Sequence, residues 1–136
     1  MAYNIFVSHS WNYGDQYNSL IQLLSSVPYF DFKDYSVPKN DPIHNAPYDW
    51  QLEEAIKRQM APASCVIILG GVYSTYSKWI NKEIKLAKEG FYIPKKIIAV
   101  APWGAEHLSV PVVQAADEVV RWQASSIVDA IRRNCQ

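Results

Sequence analysis

No charge of either sign predominates in this sequence: thirteen Lys and Arg balance thirteen Asp and Glu, and no basic run interleaves with aromatics. The electrostatic footprint of a nucleic-acid binder is missing, and no nucleic-acid partner is expected. Apolar runs are short. A run such as CVIIL at 65–69 is far from the length that crosses a bilayer, so no membrane partner is expected either. The opening MAYNIFVSHS has no basic n-region and no long apolar stretch, and it carries no expectation of a secretion signal. Only two cysteines occur, Cys65 and Cys135, with no metal or redox spacing between them. Cys65 opens an apolar run and is expected to pack as a small hydrophobe, which fits a reducing cytoplasm. His9, His44 and His107 are scattered without ligand spacing, so no metal is expected. Neither GxGxxG nor GxxxxGK[ST] is present, and there is no GxSxG elbow.

What is present is a globular composition: 49% hydrophobic and 19% charged over 136 residues, enough for a single domain, 1–136, around one sizeable core. Strand-like and helix-like segments alternate. YNIFVSH is a strand; DQYNSLIQLLSS has helical spacing through Tyr17, Leu20 and Leu24; YFDFKDY alternates with period two. SVPKNDPIHNAP, with three prolines, reads as a loop. Asp49 is positioned to cap a helix WQLEEAIKRQM. SCVIILGG is a continuous apolar run closed by glycines, as in a buried parallel strand. A helix from Ser77 follows, with Gly90 as its stop. KKIIAVAPW is a fourth strand, SVPVVQAA a short helix, EVVRW a fifth strand, and Ser125 or Ser126 is placed to cap IVDAIRRNC.

Strict β/α alternation predicts an α/β, flavodoxin-like three-layer sandwich: a five-stranded parallel sheet of order 2-1-3-4-5 with helices on both faces. Ligands in such sheets bind beyond the carboxyl ends of the strands, where strands 1 and 3 send their chains to opposite faces. Two loops are singled out, SHSWNYGD after strand 1 and GGVYSTYS after strand 3.

The second loop leads into SKWINKEIKLAKEG, which holds one residue out of pattern. On a helical projection Trp79, Ile80, Ile84, Leu86 and Ala87 share an arc of roughly 160°, opposite Lys78, Asn81, Lys82, Lys85, Lys88 and Glu89. Glu83 falls in the middle of the apolar arc, one turn after Trp79. A helix glutamate usually snorkels or pairs with a lysine, and a tryptophan on that stripe is usually core. An inward carboxylate next to the expected crevice is nevertheless a candidate functional group, and burial would favour its neutral form unless a ligand supplied donors or positive charge. The response-regulator tenancy of this fold is excluded: its acidic pair and strand 3 aspartate are replaced by SHS and GG. A flavin site is poorly supported, because the loop after strand 1 holds only Gly14.

NIFVSHSW at strand 1, FDFKDYSVPKNDPI after strand 2 and SKWINKEI after strand 3 resemble a TIR domain. More closely, the chain resembles the compact bacterial TIR-like proteins that include the Thoeris antiphage subunit ThsB. The W-x-x-x-E spacing from Trp79 to Glu83 is the most specific part, and the likeness extends through ADEVVRW and the last helix. The resemblance implies cleavage of NAD at the nicotinamide–ribose bond, with Glu83 as the catalytic position and NAD as substrate rather than bound cofactor. It further implies a cyclic ADP-ribose-type signal in antiphage defence, read by a separate effector protein. Trp79 is expected to wall the nicotinamide side, Ser8 and His9 to meet ribose or pyrophosphate, Asp34 to supply the acidic residue that such enzymes use near the end of strand 2, and Lys39 and Asp41 to steer phosphates or order the loop. That loop also mediates self-association in the family, so a homo-oligomer is expected through it. Two other readings stand beside this one: a non-catalytic TIR self-association scaffold, and another N-glycosidic enzyme on the same fold, resembling nucleoside deoxyribosyltransferases.

Overall fold

A computed structural model describes residues 2–8, 14–36, 48–69, 78–101 and 110–135. Five strands and five helices alternate in it: β1 (Tyr3–Ser8), α1 (Gly14–Ser25), β2 (Phe32–Asp34), α2 (Asp49–Met60), β3 (Cys65–Leu69), α3 (Lys78–Glu89), β4 (Lys96–Val100), α4 (Val110–Ala115), β5 (Glu118–Val120) and α5 (Ala124–Asn134). The strands form one parallel sheet of order β2-β1-β3-β4-β5, as the alternation predicted. β1 and β3 are neighbours, with Ile5 opposite Cys65 and Ser8 opposite Ile68. Their following helices lie on opposite faces, so the carboxyl ends of these two strands are the switch point at which such sheets bind ligands.

Period-two alternation divides the core into two halves. Ile5, Val7, Cys65, Ile67, Leu69, Ile98 and Val100 point to one face and pack with α1 and α5 through Leu20, Leu24, Ile127 and Ile131. Phe6, Val66, Ile68, Ile97 and Ala99 point to the other and pack with α2, α3 and α4 through Ile56, Met60, Leu86, Ala87 and Val112. All five residues of β3 are buried, which is why the segment reads as an unbroken apolar run. Cys65 is buried in the first half-core, as expected, beside Cys135, whose thiol donates to the Asn4 carbonyl at 3.1 Å; both cysteines are free.

Several boundaries differ from the sequence reading for identifiable reasons. YFDFKDY yields only a three-residue edge strand, Phe32–Asp34. Tyr29 follows Pro28 in a turn with φ 60°, and Phe30 leaves the ladder to stack on Tyr3 at 5.6 Å and Phe32 at 5.9 Å. The alternation there reports ring packing as much as strand pairing. EVVRW likewise shortens to Glu118–Val120, aligned on β4 by the Asp117 carboxylate, which accepts the Ile97 N–H at 2.8 Å. Asp49 does not cap α2: it is the first helical residue, and Tyr48 occupies the cap position with no side-chain hydrogen bond. Neither Ser125 nor Ser126 caps α5. That helix begins at Ala124 after Gln123, and the Ser126 hydroxyl donates to Gln123 Oε1 at 3.2 Å.

Gly90 does end α3, but not through a left-handed turn. Its N–H donates to the Leu86 carbonyl at 2.8 Å, and a Cβ at this position would lie 2.7 Å from that same oxygen and 3.2 Å from Leu86 Cδ2. The glycine is there for close approach. Gly90→Ala is therefore expected to cost about 1–3 kcal/mol through this clash, read as a lowered Tm in a thermal melt; an unchanged Tm contradicts the contact.

Candidate functional site

Two buried polar or charged side chains occur among the described residues, Ser8 and Glu83, with 0% and 1% of their surface exposed. They are joined. The Ser8 hydroxyl donates to Glu83 Oε1 at 3.0 Å, across 75 residues of chain. β1 brings Ser8 there by alternation: two residues after Phe6, it points to the same half-core and ends the strand at the crevice. α3 brings Glu83 by helical phase, in its second turn and on the side shared with Leu86 and Ala87. Lys82, the preceding residue, reaches across to α2 and pairs with Glu53 at 3.7 Å, which opposes rotation of α3 about its axis. The inward carboxylate expected from the projection is an inward carboxylate in the fold.

Burial pushes the Glu83 carboxyl well above the ordinary carboxylate range, and the hydrogen bond from Ser8 pulls it partly back. The balance is unusual for a helix glutamate. One donor is a thin replacement for water around an anion, so the neutral form is favoured until a cation or further donors arrive. A group held in this way accepts a proton more readily than an ordinary carboxylate and can also stabilise positive charge that develops beside it.

Asp34 belongs to a separate network. It ends β2, next to β1, and both its oxygens are engaged: Oδ1 accepts the Ser36 N–H at 2.9 Å, and Oδ2 accepts the Ser36 hydroxyl at 2.7 Å and the Tyr17 hydroxyl. The arrangement ties α1 to the exit of β2 and sets the course of the chain into the loop that follows. Burial and the Asp34 carboxylate push Tyr17 up to about 12. Tyr17 and Ser36 escaped the sequence reading. In the sequence Tyr17 reads as an apolar stripe position, although a tyrosine on such a stripe carries a polar tip that needs a partner. The structure thus joins Ser8 to Glu83 and leaves Asp34 to Tyr17 and Ser36. Trp79 lies one turn before Glu83 on α3, with its side chain outside the described residues. His9, Lys39 and Asp41 also lie outside the described residues.

Among the described residues no group of three or more His, Cys, Asp or Glu side chains could hold a metal ion, and no helix is long and apolar enough to cross a membrane. A family model described as Thoeris protein ThsB, TIR-like domain, matches residues 6–107. The match runs from β1 to beyond β4 and includes both Ser8 and Glu83. No curated protein matches the chain.

The Glu83 carboxyl also makes stability depend on pH. Its folded-state pKa is raised above the unfolded one, so the folded chain holds this proton more tightly. The associated stability is full below the ordinary carboxylate range and is lost as pH rises through the raised folded value. Glutamine has no proton to lose. Glu83→Gln is therefore expected to melt above the wild type near about pH 8, with the gap closing toward about pH 4. Parallel Tm–pH curves for the two proteins would show that no buried acid titrates there.

Proposed function

We propose that this chain, which belongs to the Thoeris ThsB TIR-like domain family, is an NAD-cleaving enzyme that releases nicotinamide and forms a cyclic ADP-ribose-type signal for antiphage defence. The observation that supports this reading is the buried Glu83 carboxyl at the β1–β3 switch point, hydrogen-bonded by Ser8.

The chemistry suits a single carboxylate. Ordinary glycosides need a second acid to protonate the leaving oxygen. In NAD the leaving group is a pyridinium: the C1′–N bond breaks, its electron pair stays on the ring nitrogen, and nicotinamide departs neutral without a proton. The ring's positive charge also favours the ionised form of Glu83, which burial alone opposes. As the bond lengthens, charge passes to the ribose as an oxocarbenium-like centre, and the carboxylate stabilises it in a low-dielectric setting. An oxygen nucleophile then bonds to C1′, and its proton passes to Glu83, whose raised pKa suits that acceptance. Glu83 is 1% exposed, so water has little access. A dry site favours attack by one of the substrate's own hydroxyls, which closes a ring, over hydrolysis. The same burial means that neighbouring side chains must move aside before a ribose reaches the carboxylate, and activity is expected to depend on a trigger or on assembly.

A scaffold reading has one observation in its favour. Tyr48 and Trp50, at the start of α2 and directly after the loop expected to self-associate, are 61% and 64% exposed. Exposed aromatics of this kind suit a contact between copies. We place that contact alongside catalysis, as the means of assembly, with a separate effector protein reading the product. The cytoplasm is the proposed setting, where NAD is available and the two free cysteines stay reduced.

The test is incubation with NAD, as concentrated pure protein and in lysates of phage-infected cells, with products followed by mass spectrometry. Wild type is expected to release nicotinamide and a product one water lighter than ADP-ribose. Glu83→Gln is expected to lose at least about a hundredfold of that rate while staying folded. Equal release by the two proteins would remove Glu83 from the chemistry, and release by neither in both settings would leave the scaffold reading in its place.

A further inference from the structure

We propose that Ser8 is the positioning residue of Glu83: its hydroxyl, donated to Oε1, fixes the carboxylate's orientation and leaves the second oxygen to the substrate ribose. The inference rests on the NAD-cleaving reading above and deepens it.

The site's composition carries the first step. The residues that β1, β3 and β4 direct into this half-core are Phe6, Val66, Ile68, Ile97 and Ala99, all apolar. Ser8 is the exception, at a position where a small apolar residue would fit the pattern. A buried pair of polar groups that served packing alone could be replaced by apolar residues of like shape at little loss, since each polar group is costly to bury. The pair is thus better explained by what it does to the carboxyl group than by what it does for the fold.

Hydrogen-bond counting gives the second step. A serine hydroxyl has one proton to donate. Given to Oε1 at 3.0 Å, it is not available to a pyrophosphate oxygen or a ribose hydroxyl. Ser8 therefore acts on substrate through Glu83. With Oε1 occupied, the ribose meets a single, oriented acceptor, Oε2, and the carboxylate is not free to swing between two equivalent poses. Preorganisation of this kind is what makes one charge effective in a site from which water is excluded.

The donor also favours the ionised form, and few other groups compete for that role. On α2, Glu53 is engaged by Lys82, Lys57 lies over the Phe91 ring, and Glu54 and Arg58 are exposed. On α3, Lys85 and Glu89 are exposed and Lys88 pairs with Asp117. β1 and β3 contribute Tyr3 and Cys65, both at the start of their strands and away from the crevice end, and β4 contributes only Lys96, exposed at its start. Among the described residues, the Ser8 hydroxyl is the group that hydrogen-bonds this carboxyl.

Two readouts test the inference, and one of them does not involve NAD. Infrared difference spectroscopy follows the protonated Glu83 carboxyl through a pH titration, with the band identified by its loss in Glu83→Gln. In Ser8→Ala the midpoint is expected to rise by about one to two pH units, and Ser8→Thr, which keeps the hydroxyl, should restore most of that shift. In turnover, Ser8→Ala should lower kcat at neutral pH by about tenfold or more with little change in KM, and move the rising limb of the kcat–pH profile by the same interval. Should Ser8→Ala fail to fold, Ser8→Cys, a weaker donor of similar shape, carries the same comparison. A midpoint and profile unchanged in a folded Ser8→Ala or Ser8→Cys protein would overturn the assignment. If wild type releases no nicotinamide, the NAD reading fails by that result, while the infrared midpoint still decides whether Ser8 controls the Glu83 carboxyl.

Discussion

The hydrogen bond between Ser8 and Glu83 joins the end of β1 to the second turn of α3, and it partly offsets the cost of burying a carboxyl group. A carboxyl group removed from water loses most of its hydration, and a single hydroxyl restores a fraction of it. The surroundings are arranged so that this liability persists rather than being relieved. The Lys82–Glu53 pair holds α3 against α2 in the rotation that keeps Glu83 inward. Leu86 and Ala87 seal the same side of the helix against the sheet. The parallel pairing of β1 with β3 puts Ser8 level with Ile68, at the edge of the crevice rather than in mid-sheet. Loosening any of these would let the glutamate reach solvent and return to an ordinary acid.

Ordinary glycosidic substrates require a raised-pKa acid working with a second carboxylate, whereas a lone buried carboxyl suits a substrate whose leaving group is already cationic. In the proposed reaction the pyridinium ring of NAD would bring the positive charge that ionises the carboxyl, and its departure as neutral nicotinamide would leave that negative charge facing the new cationic centre on the ribose. Proton uptake at the end of that reaction would draw on the same raised pKa. In that proposal one environmental property would serve binding, bond cleavage and nucleophile activation in succession. It also explains why no second acid needs to accompany Glu83.

Much of the fold was readable because its determinants are periodic. The unbroken apolar run at Cys65–Leu69 identified a central parallel strand, and the β/α alternation led to the strand order. The inward phase of Glu83 followed from helical spacing alone. Features set by contacts between distant segments were not readable. Nothing in the pattern of β1 names Glu83 as the partner of Ser8, because the two meet only after β3 has been inserted beside β1. Asp34 is singled out through the family resemblance, and its engagement by Tyr17 and Ser36 depends on how α1 lies over the sheet. Local rules also misled. Asp49 and Ser126 have good capping chemistry, yet their helices begin one and three residues earlier, respectively, than those side chains require. Gly90 was correctly read as a stop, but the reason is the nearness of the Leu86 carbonyl rather than a left-handed backbone.

The most direct measurement of the central claim is a crystal structure with a carbocyclic NAD analogue, whose nicotinamide–sugar bond does not break. The expected result is the analogue seated at the carboxyl ends of β1 and β3, with a hydroxyl of its nicotinamide-side ring within hydrogen-bond distance of Glu83 Oε2 while Ser8 remains on Oε1. An analogue bound with that ring remote from Glu83, and the carboxyl still covered, would contradict the assignment of this carboxylate to NAD cleavage.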